Sequence, residues 1–312
     1  MEPSLRISRD QHIWSFRADH EPVATVDPGS IIEIETWDCF TGQVTSEADT
    51  VLTLDLHRVN SATGPIAVRG AEPGDSLSVT LLDIRPNEIG SAMVIPGWGQ
   101  LASQCDGPTT RMFRVDGDTV YMNDRVSFPA RPMFGVIGVS PAAGEIGTFF
   151  AGRHGGNMDD HFNGIGATVH LPVFQSGGQL SIGDMHAAMG DGEISGTGVE
   201  IGGKALIKLD VVKGVAGGWP ITETADSFYT HGTSGSPSEP SDLDEAMQMA
   251  IEEAAKLLVD QWGFTTPDAF IFLSVACDLG VAQNCHPIPD TPFVVARMRI
   301  PKLAATPQPF RR

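Results

Sequence analysis

The 312-residue chain is poor in positive charge: Lys and Arg number 20 against 39 Asp and Glu, for a net charge of −19. Such a surface repels a phosphate backbone unless a local basic patch intervenes, and no patch occurs, which argues against a nucleic-acid partner. Long apolar runs are also missing. No window approaches the roughly 18 to 20 apolar residues that a membrane-spanning helix requires. Met1-Glu-Pro-Ser-Leu-Arg6 is not followed by the apolar stretch of a secretory leader. The four cysteines, Cys39, Cys105, Cys277 and Cys285, form no C-x-x-C pair. These absences predict a soluble cytoplasmic chain without a disulfide framework.

Familiar nucleophiles are lacking as well. There is no Gly-x-Ser-x-Gly elbow, and Ser234-Gly-Ser-Pro sits in a polar stretch where a preorganised nucleophile is not expected. A Gly/Ser-rich segment with a spaced lysine, which would support a Ser-Ser-Lys nucleophile, is absent too. Cys277 ends the apolar run Phe270-Ile-Phe-Leu-Ser-Val-Ala-Cys, which reads as a packed helix, and Cys105 has no assignable partner base. What remains for chemistry is imidazole and a surplus of carboxylates, the groups that bind hard or borderline metal ions.

What is abundant is turn-forming residue, with 35 Gly and 22 Pro. Ile31-Ile-Glu-Ile-Glu-Thr-Trp-Asp38 alternates apolar and polar side chains, and Val51–His57 and Leu77–Ile84 repeat the pattern between turn signals. Strand following strand without helices predicts antiparallel sheet. The fold expected is mainly β with a small α/β element: a jelly-roll-like β-sandwich over residues 1–100, a β-barrel or second sandwich portion over 101–225 that carries the site, and an α/β element over 226–312. Thr230–Pro240 reads as a flexible surface loop. A capping box at Ser241–Asp244 opens a helix that runs to Gly263, a second helix starts with Thr266 as N-cap and Pro267 at its first position, and Phe293–Ile300 closes the chain as a strand.

Two clusters could carry chemistry. In Ser181-Ile-Gly-Asp-Met-His-Ala-Ala-Met-Gly-Asp-Gly-Glu193, Asp184 and His186 are two apart and point the same way in an extended chain. Gly190 and Gly192 could turn Asp191 and Glu193 back towards the histidine. The same letters also suit an exposed hairpin with a hydrogen-bonded strand histidine. Gly152–His161 places His154, Asn157, Asp159, Asp160 and His161 on a loop, where sites concentrate but where His and Asp are also ordinary. His57, at a predicted strand end, is a third candidate with an equally available structural reading.

Taken together, these stretches resemble the acetamidase/formamidase family. The likeness runs from Thr63-Gly-Pro-Ile-Ala-Val-Arg-Gly-Ala-Glu-Pro-Gly-Asp75 through Pro96-Gly-Trp-Gly99, Gly152–Asp159, Leu171-Pro-Val-Phe174, Gly183–Glu193 and Gly196-Thr-Gly-Val-Glu200 to Ser274–Gln283. The resemblance implies a homo-oligomer that releases ammonia from short aliphatic amides or opens lactams, and that holds zinc or calcium. It implies a site in which Asp159, His186 and Asp184 ligate the metal and Glu193 acts as general base, with His57, Asn157 and Asp191 as additional site residues. Met185 and Met189 stand where the family favours glycine and glutamine, and Gly198 and Gly280 where it favours larger residues. The methionines predict a pocket suited to a bulkier or more apolar amide. Two other readings stay open: a lactam or carbamoyl hydrolase on the same residues, and a non-enzymatic β protein that binds a metal or small molecule.

Overall fold

A computed structural model describes residues 2–215, 217–235, 241–285 and 294–304. Alternation does the local work where one sheet face meets the core. Along Ile31–Thr36 the burial pattern alternates as the side chains do, and Ile32 and Ile34 are fully buried. The strands Ala62–Val68, Met133–Gly138 and Leu180–His186 are instead buried on both faces, as their small and apolar residues allow.

Among the described residues the strands form two large sheets and smaller ones. One has nine strands, in the order Leu5–Ile7, Ile31–Thr36, Gly203–Val212, Ser76–Pro86, Thr168–Pro172, Ile221–Glu223, Ser227–Ser234, Val294–Pro301 and Asp278–Gln283. The other runs Ala151–Gly152, Gly155–Asn157, Met133–Gly138, Leu180–His186, Ala62–Val68 and His12–Ile13, with Ala24–Val26 paired to Ala62–Val68. Ile32, Leu77, Val79, Leu81 and Ile207 of the first pack with Ile66, Phe134, Ile137, Leu180 and Ile182 of the second in one core. Each such side chain contributes about 1.5–3 kcal/mol by leaving water. Pairing is antiparallel as expected, except that Leu5–Ile7 and Ala24–Val26 pair in parallel with Ile31–Thr36 and Ala62–Val68. A four-stranded sheet, Ser127–Pro129, Thr119–Tyr121, Thr109–Asp116 and Ile89–Val94, flanks the site.

The structure corrects several expectations. Val51–His57 is not a strand: it forms turns and a short 3₁₀ segment, Leu56–Arg58, with Leu52 and Leu56 exposed. Local side-chain bonds outcompete sheet pairing there, since Thr53 Oγ1 donates to the Thr50 carbonyl and Asp55 Oδ1 accepts from the His57 amide. Residues 230–234 are not a surface loop but the end of the buried strand Ser227–Ser234, while 236–240 lie outside the described residues. The small side chains there admit a helix: a Cβ at Gly232 would overlap the Ala246 carbonyl, and Thr230 Oγ1 donates to the Ala250 carbonyl at 2.8 Å.

That helix, Leu243–Trp262, is capped by Asp242, whose side chain accepts from the Asp244 and Glu245 amides, and it stops at Gly263 in the left-handed region. The second helix, Thr266–Ala276, has Thr265 rather than Thr266 as its cap. It is not a packed core helix. Ala269 and Leu273 are buried, but Phe270, Ile271 and Val275 face outward, and Cys277 follows the last turn, half-buried. The final strand begins at Val294; Phe293 lies outside the described residues. No described helix is long and apolar enough to cross a membrane.

Candidate active site

The strand Leu180–His186 lies between Met133–Gly138 and Ala62–Val68, so its side chains are shielded from both sides. Asp184 and His186 do share a face, with Asp184 Oδ1 3.5 Å from His186 Nε2. Met185 between them is buried in the core, its sulfur against Gly203. It therefore does not shape a substrate pocket, contrary to expectation, because a side chain between two site residues on a strand must face away from them.

Asp159 arrives from the turn after Gly155–Asn157, where the amides of Met158 and Asp159 both donate to the Gly135 carbonyl. Gly135 is required at this point: a Cβ there would overlap the carboxylates of both Asp159 and Asp184. Glu193 comes from the 190–196 loop, which is tied to the end of Asp278–Gln283 by Gly192 N donating to the Ala282 carbonyl and Asn284 N donating to the Gly192 carbonyl. Asp159, Asp184 and Glu193 have φ of 44°, 56° and 41°, a region that non-glycine residues seldom occupy. Strain of this kind persists where surrounding structure over-determines it, and it concentrates at functional sites.

Three further residues complete the group. Glu200 is held by paired backbone bonds with Ser91; its Oε1 accepts from the Gly198 amide at 2.9 Å and its Oε2 is 3.1 Å from His186 Nε2. Gln283 Nε2 donates to Asp159 Oδ2 at 2.9 Å, and Cys285 Sγ donates to Glu193 Oε2 at 3.4 Å. One ligand atom each from Asp159, His186 and Glu193 lie within 4.8 Å of one another, as do those of Cys39, Asp184 and Glu200.

Electrostatically the cluster is one-sided. Asp159, Asp184, Glu193 and Glu200 are buried together, and His186 is the one cationic side chain among the principal charges acting on them. Burial, reinforced by the Asp184 charge, pushes the Asp159 carboxyl up to about 7. Burial pushes Glu200 up to about 8 against the pull of His186, and drives Glu193 well above the usual carboxylate range with help from Asp159. His186 resists desolvation because Glu200 and Asp184 face its ring, which holds its proton more tightly than an ordinary histidine. Among the described residues, Asp159 Oδ1, Asp184 Oδ1, Glu200 Oε2 and both His186 nitrogens make no well-aligned hydrogen bond, although Asp184 and Glu200 lie within ion-pair distance of the ring. Buried acceptors without partners are costly, and this set of carboxylate oxygens and imidazole fits a divalent cation, which would take the place of the imidazole proton and offset the carboxylate charges.

A cavity of about 530 Å³ opens beside the cluster. Phe113, Phe128, Met189, Ile194 and Val199 give it apolar walls, and Glu193 lines it as well.

The other sequence candidates are not among the converging ligand atoms, though Asp191 lines the same cavity as Glu193. His57 is exposed, and no hydrogen bond or ion pair among the described residues ties it to the cluster. Asn157 is buried on the strand beside Met133–Gly138, its Oδ1 unpartnered. Asp191 is half-exposed and pairs with Arg297 Nη2 at 2.6 Å and His161 Nδ1 at 2.7 Å. Asp160 faces His231 at 2.8 Å, and His154 packs edge-on against Phe16. Glu200, Gln283, Cys39 and Cys285 were not expected as site neighbours. Glu200 carried a readable signal, a single carboxylate between Val199 and Ile201 in an apolar run; the other three come close only through long-range pairing.

Comparison with known proteins identifies the family. The model of the acetamidase/formamidase family matches residues 8–146 and 146–304. A relative of Schizosaccharomyces pombe named for formamidase is 28% identical, and the chain spans 61% of its length with 61% of its own. An acetamidase of Mycolicibacterium smegmatis is 26% identical over 86% of this chain and 87% of that one. The crystal structure of an acetamidase from Bacillus halodurans superposes with a TM-score of 0.89 at 36% identity, covering 95% of this chain and 97% of that one. Matched along both halves by one family model, and in fold over nearly its whole length by a solved relative, the chain belongs to the acetamidase/formamidase family.

Proposed function

We propose that the chain hydrolyses the C–N bond of a small linear aliphatic amide, releasing ammonia and a carboxylate, at a divalent cation held by Asp159, Asp184 and His186, with Glu193 as general base. Its family membership supports an amidohydrolase. The observation that carries the assignment of roles is that Glu193 belongs both to the ligand cluster and to the cavity wall, so it alone of these four lies where bound amide and buried carboxylates meet. A donor set that includes imidazole favours zinc over calcium, which takes oxygen ligands.

Amides resist water because resonance weakens the carbonyl electrophile and nitrogen leaves poorly as an anion. Bound at the cluster, the cation supplies Lewis acidity toward carbonyl and water. Gln283 holds Asp159 through Oδ2 and leaves Oδ1 free for ligation. Glu193 in its ionised form takes the proton as water adds to the carbonyl carbon, and delivers it to nitrogen as the C–N bond breaks. The apolar walls offer contact to the acyl group.

The test is metal analysis of the purified chain together with ammonia release from a panel of short amides and lactams. Zinc content and amidase activity should fall together on chelation and return together on zinc addition. A chelated protein that remains fully active would overturn the metal assignment. Metal-loaded protein inert towards every amide would favour a binding role, and turnover confined to lactams would move the reaction to cyclic substrates.

A further inference from the structure

We propose that Arg297 is a positioning residue that sets the distance between the metal-holding segment and the general base. Its guanidinium joins the neighbours of two functional residues: Nη1 lies 3.6 Å from Oδ1 of Asp160, next to Asp159, and Nη2 donates at 2.6 Å to Oδ2 of Asp191, two residues before Glu193. The Arg297 side chain is only 6% exposed, so these pairs are poorly screened at its end.

The guanidinium is packed on several sides, although Nη1 makes no hydrogen bond among the described residues and meets Asp160 by charge alone. Phe162 offers its ring face at 4.9 Å and is itself stacked on Tyr229 at 4.0 Å. Asp160 is secured from behind by His231 Nε2 at 2.8 Å, and His231 Nδ1 lies 3.1 Å from the Pro220 carbonyl. His161 engages the other oxygen of Asp191 at 2.7 Å. Gly280, opposite Arg297 in the strand register, supplies the remaining space, since a Cβ there would come within 3.3 Å of the guanidinium. A planar guanidinium that hydrogen-bonds Asp191 in a fixed direction while its other nitrogen stays beside the Asp160 charge suits this task better than a flexible ammonium. Asp191, half-exposed on its loop, gains a fixed place from it, and Glu193 follows in the same loop.

The inference rests on Glu193 as the base, and its test separates the two. Asp191→Asn keeps the buried Asp160–Arg297 pair and so should fold. It should lower kcat about 10- to 100-fold, the scale expected of an ångström-level misplacement, with KM, zinc content and thermal midpoint close to wild type. Arg297→Lys should give a smaller loss of the same kind, and the double variant should be no worse than Asp191→Asn alone, because both break one link. Wild-type kcat in Asp191→Asn, a change confined to KM, multiplicative effects in the double variant, or parallel loss of zinc and melting temperature would each overturn the proposal. If Glu193→Gln is inactive while Asp191→Asn is normal, the positioning role falls and the base survives; if Glu193→Gln is active, the base assignment itself falls.

Discussion

Gly198 lies against the imidazole of His186: a Cβ built at position 198 would sit 2.6 Å from Nδ1 and 2.7 Å from Cγ. His186 is fully buried and cannot retreat, so the absent side chain keeps the ring facing Asp184 and Glu200. Gly198→Ala should therefore tilt the ring, lower zinc content and activity together, and cost about 1–3 kcal/mol of stability as an overpacking change. Gly135→Ala should be more damaging to activity, because it strikes two carboxylates at once. Zinc analysis and urea unfolding of both variants check this; wild-type metal content in Gly198→Ala would show that the ring has room.

Glu193→Gln preserves shape and removes the proposed proton acceptor. Turnover should fall about 100- to 10,000-fold while zinc is retained. Loss of zinc in this variant would make Glu193 a ligand rather than a base, a distinction its place among the ligand atoms makes worth measuring.

On the ligand set proposed above, His186→Ala removes a ligand, so metal and activity should disappear in parallel. Full zinc occupancy with residual turnover would transfer ligation to Cys39, Asp184 and Glu200, whose atoms also converge.

Acid should destabilise the protein through His154, a buried imidazole whose desolvation lowers its pKa from 6.5 to about 4. Between those pH values the unfolded chain binds a proton that the folded chain refuses, so stability is full above pH 6.5 and is lost as pH falls towards 4. The single-site contribution is about 3 kcal/mol. Urea unfolding from pH 4.5 to 7 should show a slope shallower by about one proton in His154→Gln than in wild type; identical slopes would place the acid sensitivity elsewhere.

Asp242→Ala should cost about 0.5–2 kcal/mol by leaving the first amides of Leu243–Trp262 without their acceptor. The site lies on other elements, so kcat should hold at temperatures where the variant is folded. A thermal melt and an assay at 25 °C separate the two effects.

Periodicity and turn chemistry made much of the fold legible. Ile32 and Ile34 announce a half-buried strand, and Gly263 announces a helix end, because both depend on neighbours in sequence. Val51–His57 shows where that logic fails: alternation is necessary for an edge-to-core strand but says nothing about whether a partner strand is near. Thr230–Ser234 fails in the other direction, since small polar residues read as loop until a helix is packed on them.

The site divides in the same way. Asp184 and His186, two apart on one strand, are a local juxtaposition that the order of residues determines by itself, as are the acidic balance and the family likeness. The convergence of Asp159, Glu193, Glu200 and Gln283 on that pair is not local. It depends on sheet pairing and on hydrogen bonds between segments as far apart as Asp159 and Gln283, 124 residues, on the space left by Gly135 and Gly198, and on backbone held at positive φ by the surrounding bonds. Only tertiary structure decides these, because the energy that holds four carboxyls together against their own repulsion comes from the packed core and not from the residues that carry the charge.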